Sequence, residues 1–210
     1  MTNLQSSPSD FASVTLEGTY VVLEPLAAEH HEALSVAGAD EAIFRWYPVS
    51  YSGAAQMREF ITHGVAEQRA GRALPFAVRT RHDGCVVGST RFAAIERTHR
   101  RAEIGWTWYA PAVQRTPVNT ECKYLLLRHA FETLGLNRVE FKTDSLNDKS
   151  RAALLRIGAT QEGIFRNHMV MQGGRIRHSV YFAVVREEWP QMRENLERRL
   201  AQPFSFQSQL

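Results

Sequence analysis

One strand–loop–helix passage constrains this chain more than any other. Ala102 to Ala110 is apolar and aromatic, and Pro111 breaks it. A short loop later, Thr116-Pro117 opens a helical stretch that runs to Leu134 and stops at Gly135. Threonine caps helices because its hydroxyl accepts a first-turn N–H, and proline is tolerated at the first helical position, where no donor is needed. Glycine ends helices because it reaches the left-handed conformation without a Cβ clash. The passage therefore predicts a strand that delivers its C-terminal end to the start of a long helix. Such a start offers free N–H groups and the positive pole of the helix dipole, which suit an anion such as a pyrophosphate. Taken alone, the same signal also describes an ordinary capped helix.

The rest of the chain supplies the elements around this passage. Val21-Val22-Leu23 reads as a strand closed by Pro25. Ala27 to Ala39 reads as a helix, and so does Ala54 to Ala70, where Met57, Phe60, Ile61 and Val65 form one apolar stripe before Gly71. Phe76 to Arg79 and Cys85 to Phe92 are short strands joined through His82-Asp83-Gly84, a hairpin signal. Val139 to Thr143 reads as a strand, and Asp148 to Ile157 as a helix stopped by Gly158. Gly163 to Met171 and Ile176 to Val185 meet across Gly173-Gly174 as a second hairpin. The order implies an α/β (α+β) domain: one mixed sheet with helices on its faces.

Composition narrows the function. At 210 residues the chain fits one domain with a substantial core. No apolar run approaches the ~20 residues of a membrane helix, and the N-terminus lacks secretory features. Cytoplasm is the default expectation, with no membrane partner. The net charge of +3 is modest and scattered. Arg97, Arg100 and Arg101 cluster near a turn and read as a solvated face or as part of an anion site; no basic run resembles a nucleic-acid tail, so no nucleic-acid partner is expected. Cys85 and Cys122 make neither a disulfide framework nor a metal site, and each is expected to be buried.

Particular residues carry a family resemblance. Ala102-Glu103-Ile104 opens the strand, Gln114 starts the loop, and Glu121 begins a Leu-rich helix. Asn147-Asp148-Lys149-Ser150 is followed by Ile157-Gly158-Ala159, and Glu162-Gly163-Ile164-Phe165-Arg166 closes the pattern. With these, the chain resembles the Gcn5-related N-acetyltransferase (GNAT) superfamily, in its RimJ/RimL-like branch, from Val21 to Trp189. The resemblance implies a GNAT-like mixed, mostly antiparallel sheet of six to seven strands with about four helices on its faces. It implies an acetyltransferase domain over 14–190, while composition marks the Ser-rich, polar segment 1–13 as flexible and the charged, then polar stretch 191–210 as a helical or polar tail.

The implied reaction moves an acetyl group from acetyl-CoA, as co-substrate and without a metal, to a primary amine. That amine belongs to a protein N-terminus or a small molecule. The alternative is a non-catalytic acyl-CoA-binding or sensing module. A homodimer is possible by the same analogy. The family's loop would contact coenzyme A through Gln114, Arg115, Thr116, Pro117, Val118, Asn119 and Thr120. Pro117 and Asn119 depart from its pattern, since proline stands where a glycine is expected. Trp106, Thr107 and Trp108 would line pantetheine, and a strand N–H among them would meet the oxyanion. Asn147 and Ser150 complete the cofactor contacts. Glu103 is the candidate base, and its alternative is a strand carboxylate paired with Arg101 or Arg91. Many relatives carry a tyrosine acid where this chain has Leu154, and Ser150, one turn earlier, takes that role in this branch. Trp46, Tyr47 and Tyr51 read as core or as an acceptor wall. His168 and His178 read as cross-strand packing neighbours on the last hairpin, or as a proton relay.

Overall fold

The computed structural model describes residues 11–204. Most of the segment 1–13, expected to be flexible, lies outside the described residues, as does the end of the polar tail.

Thirteen regular elements follow in order. They are β1 (Leu16–Glu17), β2 (Val21–Pro25), α1 (His31–Ala37), α2 (Ala54–Arg69), β3 (Leu74–Thr80), β4 (Val86–Glu96) and β5 (Arg101–Tyr109). Then come α3 (Pro117–Arg128), β6 (Arg138–Asp144), α4 (Asp148–Ile157), β7 (Thr160–Val170), β8 (Ile176–Val185) and α5 (Trp189–Leu200). The strands form one sheet in the order β1-β2-β3-β4-β5-β6-β8-β7. Every pairing is antiparallel except β5 with β6, whose crossover contains α3. The expected mixed, mostly antiparallel sheet is therefore present, with eight strands rather than six to seven. The extra strand, β1, has two residues, too few to show an alternation in sequence.

Alternation along the strands sends side chains into two cores, one on each face. Ile104, Phe141, Phe182, Val118 and Leu125 belong to the core under α3 and α5. Trp108 joins Leu34, Phe44, Met57 and Phe60 under α1 and α2. Helix α5 supplies buried Trp189, Met192 and Leu196, so the first core continues past the boundary expected at residue 190.

The crossover after β5 is anchored by one side chain. Glu121 is buried on α3, and its carboxylate accepts the backbone N–H groups of Thr19, Tyr20 and Val21 at 2.7, 2.6 and 2.8 Å. It ties the β1–β2 turn to α3. The helical stretch expected to Leu134 is α-helical to Arg128 and then widens into a π turn over His129–Thr133, where the Leu134 N–H reaches the His129 carbonyl at 2.9 Å.

The cysteines part company. Cys122 is buried as expected, but Cys85 is exposed, because the Asp83-Gly84 turn leaves it at the tip of the β3–β4 hairpin. Among the described residues no helix is long and apolar enough to cross a membrane.

Candidate active site

Strand β5 carries a bulge. Ser89 pairs with Trp108 and Arg91 with Gly105, so Thr90 alone faces both Trp106 and Thr107. Trp106 absorbs the irregularity at φ +53°, a conformation that costs an L-residue about 1–2 kcal/mol. On the other edge of β5 the parallel ladder with β6 ends at Glu103–Glu140. Strand β6 stays paired with β8 as far as Asp144. Beyond Glu103 the two parallel strands therefore part, and a cleft of about 600 Å³ opens between them. Ile104 to Tyr109 form one wall, and Phe141 to Asp144 form the other. Along this edge the N–H and C=O groups of β5 have no strand partner among the described residues, so they can pair with an extended ligand. Below the opening, Arg101 and Arg138 both donate to Glu140, at 3.1 and 2.8 Å, where the ladder still holds.

The start of α3 closes one end of the cleft. Gln114, Arg115, Thr116 and Asn119 line it. The Gln114 amide donates to the Tyr109 carbonyl at 3.2 Å, and Arg115 turns the loop at φ +64°. Thr116 caps the helix: its Oγ1 accepts the Val118 N–H at 3.3 Å and donates to the Val113 carbonyl at 2.7 Å. Pro117 has no N–H, so two of the usual first-turn donors are absent or occupied. Of the expected cofactor contacts, Pro117, Val118 and Thr120 do not line the cleft. The helical period explains this. It turns Asn119 and Lys123 to the opening and sends Val118 and Cys122 into the core.

Glu103 sits where the strands part. It is 8% exposed and pairs with Lys142 of β6 at 3.2 Å. Neither expected partner meets it. Arg101 reaches across the ladder to Glu140. Arg91 points to the other face of the sheet, its guanidinium 4.9 Å from the Phe60 ring centre and 4.5 Å from that of Trp106. Its Nε and Nη2 find no hydrogen-bond partner among the described residues, and burial pushes its pKa down to about 10. Gly105 makes room for the Glu103 carboxylate, since a Cβ there would lie 2.6 Å from Oε1.

Sequence reasoning missed Lys123. Its Nζ lies 3.1 Å from Thr107 Oγ1, which lies 2.8 Å from Thr90 Oγ1. It also sits 5.3 Å from the centre of the Phe141 ring. No carboxylate lies within ion-pair distance among the described residues. Burial pushes the ammonium down to about 8, against the opposing pull of the Glu103 carboxylate. The available signal was its position one helical turn after Asn119.

Helix α4 provides the facing wall. Asn147 is its N-cap, and its Oδ1 accepts the Ser150 N–H at 3.1 Å. Both residues line the cleft, as do Leu154, Lys149 and Arg156. The aromatic trio divides. Trp46 and Tyr47 line the cleft, while Tyr51 packs behind them against Phe44 and Phe60. Burial pushes the Tyr47 hydroxyl far above its ordinary range. Met169 and the buried Arg177 also reach the cleft. The hairpin histidines bond separately: His168 Nδ1 to Ser179 Oγ, and His178 Nδ1 to the Asn167 N–H, each at 2.9 Å.

Known proteins share this architecture. A family model described as an acetyltransferase (GNAT) domain matches residues 21–160. The chain is 34% identical over 109 residues to YdaF of Bacillus subtilis (strain 168), a putative ribosomal N-acetyltransferase; the match covers 51% of this chain and 58% of that protein. A crystal structure of a GCN5-related N-acetyltransferase from Brucella melitensis superposes with a TM-score of 0.85 at 32% identity, covering 91% of this chain and 87% of its own. Mycobacterium smegmatis RimJ in complex with CoA-disulfide superposes with a TM-score of 0.79, covering 90% of this chain and 96% of its own; at 24% identity that likeness is one of fold.

Proposed function

The chain belongs to the GNAT acetyltransferase family, and from that premise we propose that it transfers an acetyl group from acetyl-CoA to a primary amine. One observation carries the reading. The unpaired edge of β5 runs from the buried Glu103, past the Trp106 bulge, to the N-terminus of α3. An extended pantetheine arm needs such an edge for its amides, and a pyrophosphate needs such a helix start. The residues present suit coenzyme A in kind. Thr116 and Asn119 stand at the helix start, and Arg115, Lys149 and Arg156 supply positive charge on the cleft wall. The CoA derivative bound to the Mycobacterium smegmatis protein supports the same co-substrate.

The roles follow from the chemistry. An amine attacks a thioester only when neutral, so Glu103, directly or through a water, receives its proton. Ser150 hydrogen-bonds the departing thiolate. Trp46 and Tyr47 flank the side from which the acceptor arrives. The description of YdaF as a putative ribosomal N-acetyltransferase supports a protein N-terminal amine as acceptor.

Free-thiol release from acetyl-CoA, measured against N-terminal peptides of ribosomal proteins and a panel of small amines, tests the reading. Acceptor-dependent thiol release is expected, fastest with a peptide. Tight coenzyme A binding without release on any acceptor would establish a binding or sensing module instead.

A further inference from the structure

Lys123 and Arg177 are buried cations of the cleft that the roles above leave unused, and Lys123 is the one that α3 supplies. A lysine ammonium is rarely kept from water without a carboxylate, because the desolvation cost has no ionic compensation. Here it has a hydroxyl and a ring. One of its three N–H donors goes to Thr107, and the Phe141 face offers a weaker cation–π contact. The other donors have no partner among the described residues, and the side chain lines the opening. Thr107 follows the bulge residue Trp106 and is itself held by Thr90. The ammonium is thus fixed beside the β5 segment that lies along the proposed thioester path. Asn119 and Lys123 share one face of α3, one turn apart, so that face runs from the phosphate end into the cleft.

We infer that Lys123 is a catalytic residue: its ammonium, positioned by Thr107 between β5 and β6, hydrogen-bonds the thioester carbonyl oxygen and stabilises the oxyanion formed on it. This rests on the acetyl-transfer reading above. The amine lone pair forms the C–N bond while the carbonyl π pair moves to oxygen, where the ammonium meets the new charge. That pair returns to restore C=O as the C–S bond breaks and its electrons pass to sulfur. The amine's proton goes to Glu103 and ends on the thiolate, so Lys123 keeps its own protons throughout. A preorganised donor in a water-poor cleft acts strongly because nothing need reorient as charge develops.

The groups around Lys123 are compatible with a cation that titrates. Glu103 faces it from β5 and is itself paired with Lys142 of β6. Phe141 comes from β6, and Lys149 and Ser150 line the same cleft from α4. Cys122 on its own helix has a thiol pushed up to about 12 by burial, so it brings no charge near neutrality.

The experiment compares wild type with Lys123→Met, which keeps length and apolar bulk, in two readouts. In steady-state kinetics, Lys123→Met should lower kcat by about 10²- to 10³-fold while the Kd for coenzyme A stays within about threefold. In difference infrared spectra of bound acetyl-CoA carrying a ¹³C carbonyl, the wild-type carbonyl band should lie below that of free acetyl-CoA. That shift should vanish in Lys123→Met. In wild type it should also vanish as the pH rises past the Lys123 pKa. A kcat within about threefold of wild type, or a carbonyl band that neither the variant nor pH moves, would overturn the inference. If wild type acetylates no acceptor, the transferase reading fails, and the infrared band still decides the role of Lys123. If Lys123→Met does not fold, the pH dependence of the wild-type band decides it.

Discussion

At the residue scale, three positions are separable in the cleft. Ser150 lies in the first turn of α4 with its N–H held by the Asn147 cap, so its hydroxyl can turn to the cleft. Ser150→Ala should lower kcat by roughly tenfold or more while coenzyme A affinity, read by calorimetry, changes little; equal losses in both would make Ser150 a binding residue only. Glu103→Gln should lower kcat by about 10²-fold and flatten the rise of rate with pH, because the amide accepts no proton. A full pH–rate profile checks this, and an unchanged profile would assign the proton to another group. Gly105→Ala tests whether the position of that carboxylate matters. The new Cβ would lie 2.6 Å from Glu103 Oε1. Since the far end of a flexible side chain can shift cheaply, Tm should hold while kcat falls about 10- to 10²-fold. A matched loss of both would mean that the glycine serves packing rather than the carboxylate.

At the element scale, the bulge and the crossover are the decisive pieces. The bulge re-aims β5, and the ladder to β6 ends at Glu103, so a parallel pair becomes a cleft. Helix α3 must then be held at one angle across the mouth. Glu121 does this from the far side of the helix, through three backbone N–H groups of the β1–β2 turn. Glu121→Ala would take the acceptor from the buried Val21 N–H and from the less buried Thr19 and Tyr20 N–H groups, and should destabilise the fold by about 3 kcal/mol in urea unfolding. Gly18→Ala should destabilise too, since its Cβ would lie 2.4 Å from the same carboxylate. If Glu121→Ala unfolds at the wild-type urea concentration, the turn is not what holds α3.

At the scale of the whole molecule, the buried Lys123 charge couples stability to pH. Its pKa is about 8 in the folded chain against the ordinary 10.5. Below pH 8 both folded and unfolded states carry the proton, and the full cost of burying it is present. Between about 8 and 10.5 the folded state sheds that proton while the unfolded state keeps it, so stability rises with pH. Relative to Lys123→Met, wild type should gain roughly 3 kcal/mol across that window. Urea unfolding of both proteins at pH 7.5 and pH 10 checks the difference. A difference that does not move with pH would mean that Lys123 is not desolvated in solution.

The sequence by itself determined the elements and the line along which a cofactor should lie. Pro111, Thr116-Pro117 and Gly135 punctuate β5 and α3, and the apolar, aromatic run from Ala102 to Ala110 marks the strand, because these are local backbone preferences that neighbouring residues carry. Only the tertiary structure decided which side chains face the opening. Glu103 pairs with Lys142 rather than with Arg101 or Arg91, because register across β5 and β6 brings them together. Pro117, Val118 and Thr120 stand off the cleft wall, while Lys123 reaches it, because the helix period is phased by packing against the sheet. The Glu121 contacts that hold the β1–β2 turn join positions about 100 residues apart, and no local pattern encodes such a pairing. A sequence sets what each segment can be. Where a charge ends up buried, and what faces it, is settled only when distant segments meet.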